Sequence, residues 1–565
     1  MMGPWRRAYS LLIRFRLILL FVLLFAGLFS GVALLFPPAS LAQEDTLAAD
    51  PAIPAASKTK TQPSDVTRFR QRVRAALASA GGEKAYWGLI VEDADTGEVI
   101  YSQNAGRYFM PASNAKLFTT AMALATLGPD FRIRTTIESE AAPDSAGILA
   151  GDLVLVGRGD ANLSNRVFPF ADHAEHDGPP EKALADLADQ VAASGVKEIS
   201  GDIVADDSYI APERYPSGWT IDDAVWGYGA AVSALAINDN YISVILHPGA
   251  AVGAPLTYSA APWPGIYALR NDTTTTAAGI EPMLRLERDP DSQTFHLTGT
   301  LPLDAPAREL QLAVTQPAEN AAAVLMQLLE ARGVRVGGHS RARHGDRNAQ
   351  PVAATATHVL AEHISLPLLQ DVRMTNKLSM NLHAELMLRV AAREKAGAIT
   401  MDDAGAFATQ FRQSIGIMPD EVQLTDGSGL SRGDLVTPES VVRLLAYAHR
   451  QPWGPDFENT LPVAGQDGTL ETRMRGTAAA GKIHAKTGLV EHVDSLSGYA
   501  TSRHGAHLIF SIFGNNTGPR GTNGTSVVDS ICAAMVEELS PHGGRRPAPA
   551  SRLAVPSQAE RPISR

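Results

Sequence analysis

Residues 111–127, PASNAKLFTTAMALATL, narrow what this chain can be more than any other stretch. They place Ser113 three residues ahead of Lys116, at the head of a run of apolar and small residues that Gly128 and Pro129 stop. Positions i and i+3 share a helix face, so the hydroxyl and the amine lie within reach of each other. A serine attacks only after a base takes its proton, and a lysine whose charged form is disfavoured in a dry site is such a base. The helix start adds unpaired N–H groups suited to a developing negative charge. The spacing alone is weak, because Ser57 with Lys60 (SKTK) and Ser194 with Lys197 (SGVK) repeat it. The first lies in a Pro-rich polar stretch without helical period, the second at a helix end. Only the Ser113 copy opens a helix behind a proline turn.

The chain around it is too long, at 565 residues, for one core, which predicts two to four domains. Arg6, Arg7, Arg14 and Arg16 precede an unbroken apolar run over residues 17–36, and Ser40-Leu41-Ala42 fits a small-residue cleavage site. Residues 1–42 therefore read as an export signal or, since the run is also long enough to span a bilayer, an uncleaved anchor. Both put the remainder outside the cytoplasmic membrane, periplasmic or otherwise extracytoplasmic, with membrane contact only through this segment. A formal net charge of -11 argues against nucleic acid or an anionic membrane surface as partner. Cys532 is the single cysteine, so no internal disulfide can form; within SVVDSICAAMVEEL it reads as a small buried hydrophobe.

Along the chain, residues 43–63 read as a linker and 64–80 as a helix stopped by Gly81-Gly82. WGLIVEDADTGEVIYSQN is a hairpin turning at Asp95-Thr96-Gly97. Residues 131–350 change character to short strand-like runs with one strong helix after Pro317, and read as one or two inserted β-rich domains. Long helices return over 365–450, followed by three strands within 482–514 and a final helix near 524–539. Residues 64–130 and 351–540 thus form one split α/β domain, closed by its own ends around an antiparallel sheet. Residues 541–565 read as a disordered tail.

Two further pieces give the serine partners. Ser379-Met380-Asn381 makes sense in a turn before a helix starting near Leu382, where the hydroxyl relays a proton and the amide holds a carbonyl; an ordinary helix cap is the competing reading. Lys486-Thr487-Gly488 is the one K-[ST]-G in the chain. On an edge strand it supplies a cation and a hydroxyl for a carboxylate, with Gly488 removing bulk where substrate lies against the backbone. The N–H groups of Ser113 and Leu489 would then form an oxyanion hole.

S-x-x-K, S-x-N and K-T-G in this order are the signature of penicillin-recognising serine enzymes. Together with DLVLVGRGDANLS, GDIVADDSYI, VWGYGAAVSALAINDN, NKLSMNLHAE, LTDGSGLSR and SLSGY, the chain over about residues 65–540 resembles the S13 peptidases, D-alanyl-D-alanine carboxypeptidase/endopeptidases among the class C low-molecular-mass penicillin-binding proteins. The resemblance implies a penicillin-recognising transpeptidase/β-lactamase-like domain carrying a large insertion. It also implies peptidoglycan stem peptides as substrate and β-lactams as covalent inhibitors. By it Ser113 is the acylated nucleophile, Lys116 its base, Ser379 the proton relay, Asn381 the acyl-side donor, and Lys486 with Thr487 the carboxylate clamp. Arg432 and Asp206 match positions that bind the stem peptide's side chain. Met380 stands where Asp is common, and Leu489 where Thr or Ser is usual; the missing hydroxyl implies weak carboxypeptidase turnover relative to endopeptidase cleavage.

The chemistry expected is acyl transfer with no metal and no cofactor. Histidines show no clustered ligand set, and His383 reads as a surface or packing residue. Lys486 is expected to disfavour the charge on Lys116, though an ammonium that merely orients the serine fits the same sequence. A β-lactamase and a non-catalytic penicillin sensor or wall-binding protein are the alternatives.

Overall fold

Alternating apolar residues in the first strand point to both faces of a sheet, and each face meets helices. The computed structural model describes residues 64–79, 82–168, 176, 178–290, 292–345, 358–518 and 524–541. The expected export segment, the linker and, beyond Pro541, the tail lie outside the described residues.

Helix α1 (Ser64–Leu77) leads into strands β1 (Tyr86–Asp93) and β2 (Val99–Gln103), then helix α2 (Ala115–Leu127). After the insertion come α3 (Leu368–Leu378), α4 (Asn381–Ala396), α5 (Met401–Ser414) and α6 (Pro438–His449). The chain closes with β3 (Ile483–Val490), β4 (Val493–Thr501), β5 (His507–Asn515) and α7 (Gly524–Glu538). The five strands form one antiparallel sheet in the order β3-β4-β5-β1-β2. The N-terminal hairpin thus pairs with the last strand. Its turn is held by Asp93, whose carboxylate accepts from the N–H groups of Asp95 and Thr96, while Gly97 takes φ 75°.

Residues of alternate parity separate two cores. Leu89, Val91, Phe510 and Ile512 pack under α1 and α7 with Phe69, Ile531 and Met535, whereas Ile90, Ile509 and Phe513 face Leu117, Phe118 and Leu445 of α2 and α6. Each such side chain, fully buried, contributes roughly 1.5–3 kcal/mol. Cys532 belongs to the first core, where burial pushes its thiol pKa up.

Between α2 and α3 the insertion builds two further cores. One is a mixed five-stranded sheet in the order Ser340–Arg343, Ile203–Asp206, Leu153–Val156, Arg134–Ser139, His358–Ile364, packed against helices Lys182–Ala193 and Pro317–Glu330. The other, over residues 241–313, is a pair of three-stranded sheets around Ile242, Val244, Phe295 and Leu312. The expected β-rich character thus fits the second unit, while the first is α/β. The expected boundary between residues 350 and 351 moves as well: strand His358–Ile364 pairs antiparallel with Arg134–Ser139, so the insertion continues to residue 364.

Candidate active site

The nucleophile candidate sits on a single 3-10 turn, Ala112–Asn114, that feeds directly into α2. Asn114, fully buried, ties this turn to the sheet: its Nδ2 donates to the Lys486 carbonyl at 3.1 Å and to Ser495 Oγ at 2.8 Å. Ser495 Oγ in turn donates to the Pro111 carbonyl at 2.9 Å. The start of α2 and strand β3 are therefore held in one register.

Lys116 is wholly buried as the second residue of α2, and its Nζ has three neighbours: Ser113 Oγ at 2.9 Å, Asn381 Oδ1 at 2.6 Å and the Ser428 carbonyl at 2.7 Å. A neutral amine carries two protons and one lone pair. Asn381 and Ser428 offer only acceptors, so they take the two protons and leave the lone pair for the Ser113 hydroxyl. Burial lowers the Lys116 pKa to about 7 against the opposing pull of Asp426, Glu385 and Asp434. The expected role of Lys486 in this shift is thereby corrected: desolvation leads.

Lys486 is also fully buried, on β3, and donates to Ser379 Oγ at 2.9 Å and to the Thr487 carbonyl at 3.0 Å. Burial, and then the charge of Lys116, drive its pKa well below the ordinary lysine value. Ser379 occupies the junction of α3 and α4 in a left-handed conformation, φ 62°, and Asn381 opens α4. Its Nδ2 donates to the Tyr228 carbonyl of the insertion at 2.8 Å, which fixes the amide with its oxygen toward Lys116. Ser113 thus meets Lys116, which meets Asn381, and Ser379 meets Lys486, while the two serines line one cleft of about 320 Å³ with Thr487 and Gly488.

The family model of D-Ala-D-Ala carboxypeptidase 3 (S13) matches residues 69–537. A D-alanyl-D-alanine carboxypeptidase from Actinomadura sp. (strain R39) is 36% identical over 512 residues, covering 88% of this chain and 90% of the relative. The chain belongs to the S13 family. A D-alanyl-D-alanine carboxypeptidase DacB from Haemophilus influenzae is 25% identical over 437 residues, covering 76% of this chain and 85% of its own length. The crystal structure of penicillin binding protein 4 (dacB) from Haemophilus influenzae superposes with a TM-score of 0.70 at 22% identity, over 84% of this chain and 99% of that one, and shares the fold.

Other site expectations for this S13 peptidase need revision. A Cβ on Gly488 would lie 2.1 Å from Ser495 Oγ and 2.5 Å from the Pro111 carbonyl. The glycine thus lets β3 pass beneath the nucleophile turn, a packing reason distinct from the substrate contact expected of it. Leu489 is 56% exposed at the cleft rim. Thr487 Oγ1 lies 2.7 Å from Thr469 Oγ1. Asp206 is committed to Arg343 within the insertion, at 2.5 and 2.8 Å, and does not line the cleft. Arg432 does not line it either; its backbone N–H donates to the Gly218 carbonyl at 3.1 Å. Burial makes His383 a packing residue, but a charged one: its ring spans Asp371 Oδ1 at 2.5 Å and Asp239 Oδ1 at 3.0 Å.

The segment LTDGSGLSR entered the sequence analysis only through the resemblance and Arg432, and the contact of its Ser428 carbonyl with Lys116 was missed. Asp426 holds this loop, accepting from Gly429 N at 2.7 Å, Ser431 N at 3.0 Å, Ser428 Oγ at 2.8 Å and Trp219 Nε1 at 2.8 Å. Gly429, at φ 78°, lets the loop approach within what would be 1.9 Å of the Ala112 carbonyl for a Cβ. The available signal was Asp426-Gly427-Ser428-Gly429 itself, an acid beside two glycines.

Proposed function

We propose that this chain is a serine D-Ala-D-Ala carboxypeptidase and DD-endopeptidase that cleaves peptidoglycan stem peptides through an acyl-enzyme and is acylated by β-lactams. The observation that carries the reading is the neighbourhood of Lys116 Nζ, where two acceptors leave the lone pair directed at Ser113 Oγ. Lys116 takes the Ser113 proton, and the oxygen attacks the carbonyl of the penultimate D-Ala. The backbone N–H groups of Ser113 and Leu489 receive the oxyanion, each donor being worth about 3 kcal/mol in comparable sites. Ser379, hydrogen-bonded to Lys486, passes its proton to the departing amine and is reprotonated by the proton that Lys116 took, which returns Lys116 to its neutral form. Water then hydrolyses the ester, with Lys116 again positioned to accept a proton. Stem peptides lie outside the cytoplasmic membrane, which makes the protein extracytoplasmic. Among the described residues no helix is long and apolar enough to cross a membrane.

Labelled penicillin with intact-mass analysis of the wild type and Ser113→Ala tests this. A long-lived adduct on the wild type alone, with D-Ala release or cross-link cleavage from muropeptides, is expected. Rapid penicillin turnover would make the protein a β-lactamase, and an adduct without muropeptide cleavage a sensor.

A further inference from the structure

The substrate of this reaction ends in a free carboxylate, and the residue expected to bind that group is poorly placed for it. Lys486 is fully buried, its ammonium is already directed to Ser379 Oγ and the Thr487 carbonyl, and burial disfavours its charge. Leu489 brings no hydroxyl. A carboxylate leaving water for this cleft needs a cation or several donors in exchange.

Beyond Thr487 the cleft wall is formed by Thr469, Arg473, Asp494, Thr525 and Val528. Arg473 is the one basic side chain lining the cleft among the described residues. Its Nε and Nη2 are tied to Asp529 of α7, with Nη2 at 2.6 Å from Oδ1, while Nη1 has no hydrogen-bond partner among the described residues. A guanidinium fixed along one edge by an acid presents its other edge at little further entropic cost. Asp494, the one acidic side chain of the lining, is occupied elsewhere: its Oδ1 accepts from Thr525 Oγ1 at 2.6 Å, and its Oδ2 sits so near Gly524 that a Cβ there would be 2.0 Å away. The Thr469 and Thr487 hydroxyls meet at 2.7 Å and line the same cleft as Arg473 and Ser113.

We propose that Arg473, with the Thr469 and Thr487 hydroxyls, receives the free carboxylate of the leaving D-amino acid and so selects substrates that end in one. The assignment rests on the peptidase reading above. It also bears on the missing hydroxyl at Leu489, since Arg473 and Thr469 supply donors from outside that strand and carboxypeptidase turnover need not suffer.

The test compares N-acyl-D-Ala-D-Ala with its C-terminal amide on the full chain, using the ratio of the two kcat/KM values, in which the fraction of active enzyme cancels. Arg473→Gln should lower the preference for the acid by about 30-fold, through KM, as loss of a charge-assisted hydrogen bond does. Arg473→Lys should recover part of it. Asp529→Asn, which releases the guanidinium edge but keeps the cation in the cleft, should lower the ratio by less than Arg473→Gln does. An unchanged ratio in Arg473→Gln, or an equal collapse in Asp529→Asn, overturns the assignment while leaving the peptidase reading intact. A wild type that cleaves neither peptide removes both.

Discussion

Acylation of Ser113 by penicillin should rise with pH along a titration centred near 7. The shift of Lys116 from 10.5 to about 7 amounts to roughly 5 kcal/mol against the ammonium, at 1.36 kcal/mol per tenfold. A lysine whose pKa is depressed on folding is charged below that value and neutral above it, so the base appears as pH rises. Between pH 6 and pH 8 the neutral fraction climbs from roughly 9% to roughly 91%, a rate increase of about tenfold. Burial lowers the midpoint, and Asp426, Glu385 and Asp434 raise it. Lys116→Arg keeps a cation at the site but cannot surrender its proton, so acylation should fall by about 10²–10⁴-fold and lose its pH dependence in this range. The assay is the second-order rate constant for a fluorescent penicillin between pH 5.5 and 8.5, with thermal unfolding followed in parallel. A flat wild-type profile, or an arginine variant within tenfold of wild type, would refute lysine as the base and leave it an orienting charge.

Two substitutions away from the reacting atoms probe the scaffold. Gly488→Ala puts a methyl 2.1 Å from Ser495 Oγ and 2.5 Å from the Pro111 carbonyl, so it should shift the nucleophile turn: a stability loss of about 1–3 kcal/mol by denaturant unfolding, with a disproportionate drop in penicillin acylation; preserved acylation would contradict the packing argument. His383 is held between Asp371 and Asp239, which outweigh burial and raise its pKa from 6.5 to about 10. Its contribution is therefore full below about pH 6.5 and lost as pH rises through about 10. His383→Gln should cost roughly 3–5 kcal/mol at pH 6, and the gap to wild type in urea unfolding should narrow toward pH 9.5. A gap that stays constant with pH would show that the imidazolium is not what holds the two acids.

The legible parts of this protein were those written in local pattern. Alternation over β1 and the hairpin turn at Gly97 follow from residues adjacent in sequence, as does the i, i+3 pairing of Ser113 with Lys116. Ser379 and Asn381 required only that a turn precede a helix, and the structure has that turn, with Ser379 at φ 62°. What escaped was tertiary. Asn114 drew no reading of its own from the sequence, yet it joins the nucleophile turn to β3. Asp206 ends the strand Ile203–Asp206, and its partner Arg343 is brought beside it only by parallel strand pairing within the insertion. The boundary of the insertion failed for the same reason, since strand His358–Ile364 gains its identity from Arg134–Ser139 far upstream.

That insertion is not a passenger on the catalytic domain. Tyr228 offers its carbonyl to Asn381 Nδ2, Trp219 its indole N–H to Asp426, and Ser217 its carbonyl to Ser431 Oγ at 2.8 Å. Gly218 passes so close that a Cβ would fall 2.2 Å from Ser431 Oγ. Asp239, in a left-handed conformation at φ 49°, reaches His383 beneath α4. An amide can present either end to a neighbour, and the choice at Asn381 decides what Lys116 meets. With Nδ2 engaged by Tyr228, Oδ1 must face the amine, where it takes one of the two protons of the neutral form; Ser428, on the loop braced by Trp219, takes the other. The lone pair is then left with one neighbour, the Ser113 hydroxyl. A segment inserted more than a hundred residues before the second motif thus determines where the lone pair of a neutral Lys116 points, and the base proposed for Ser113 depends on that direction.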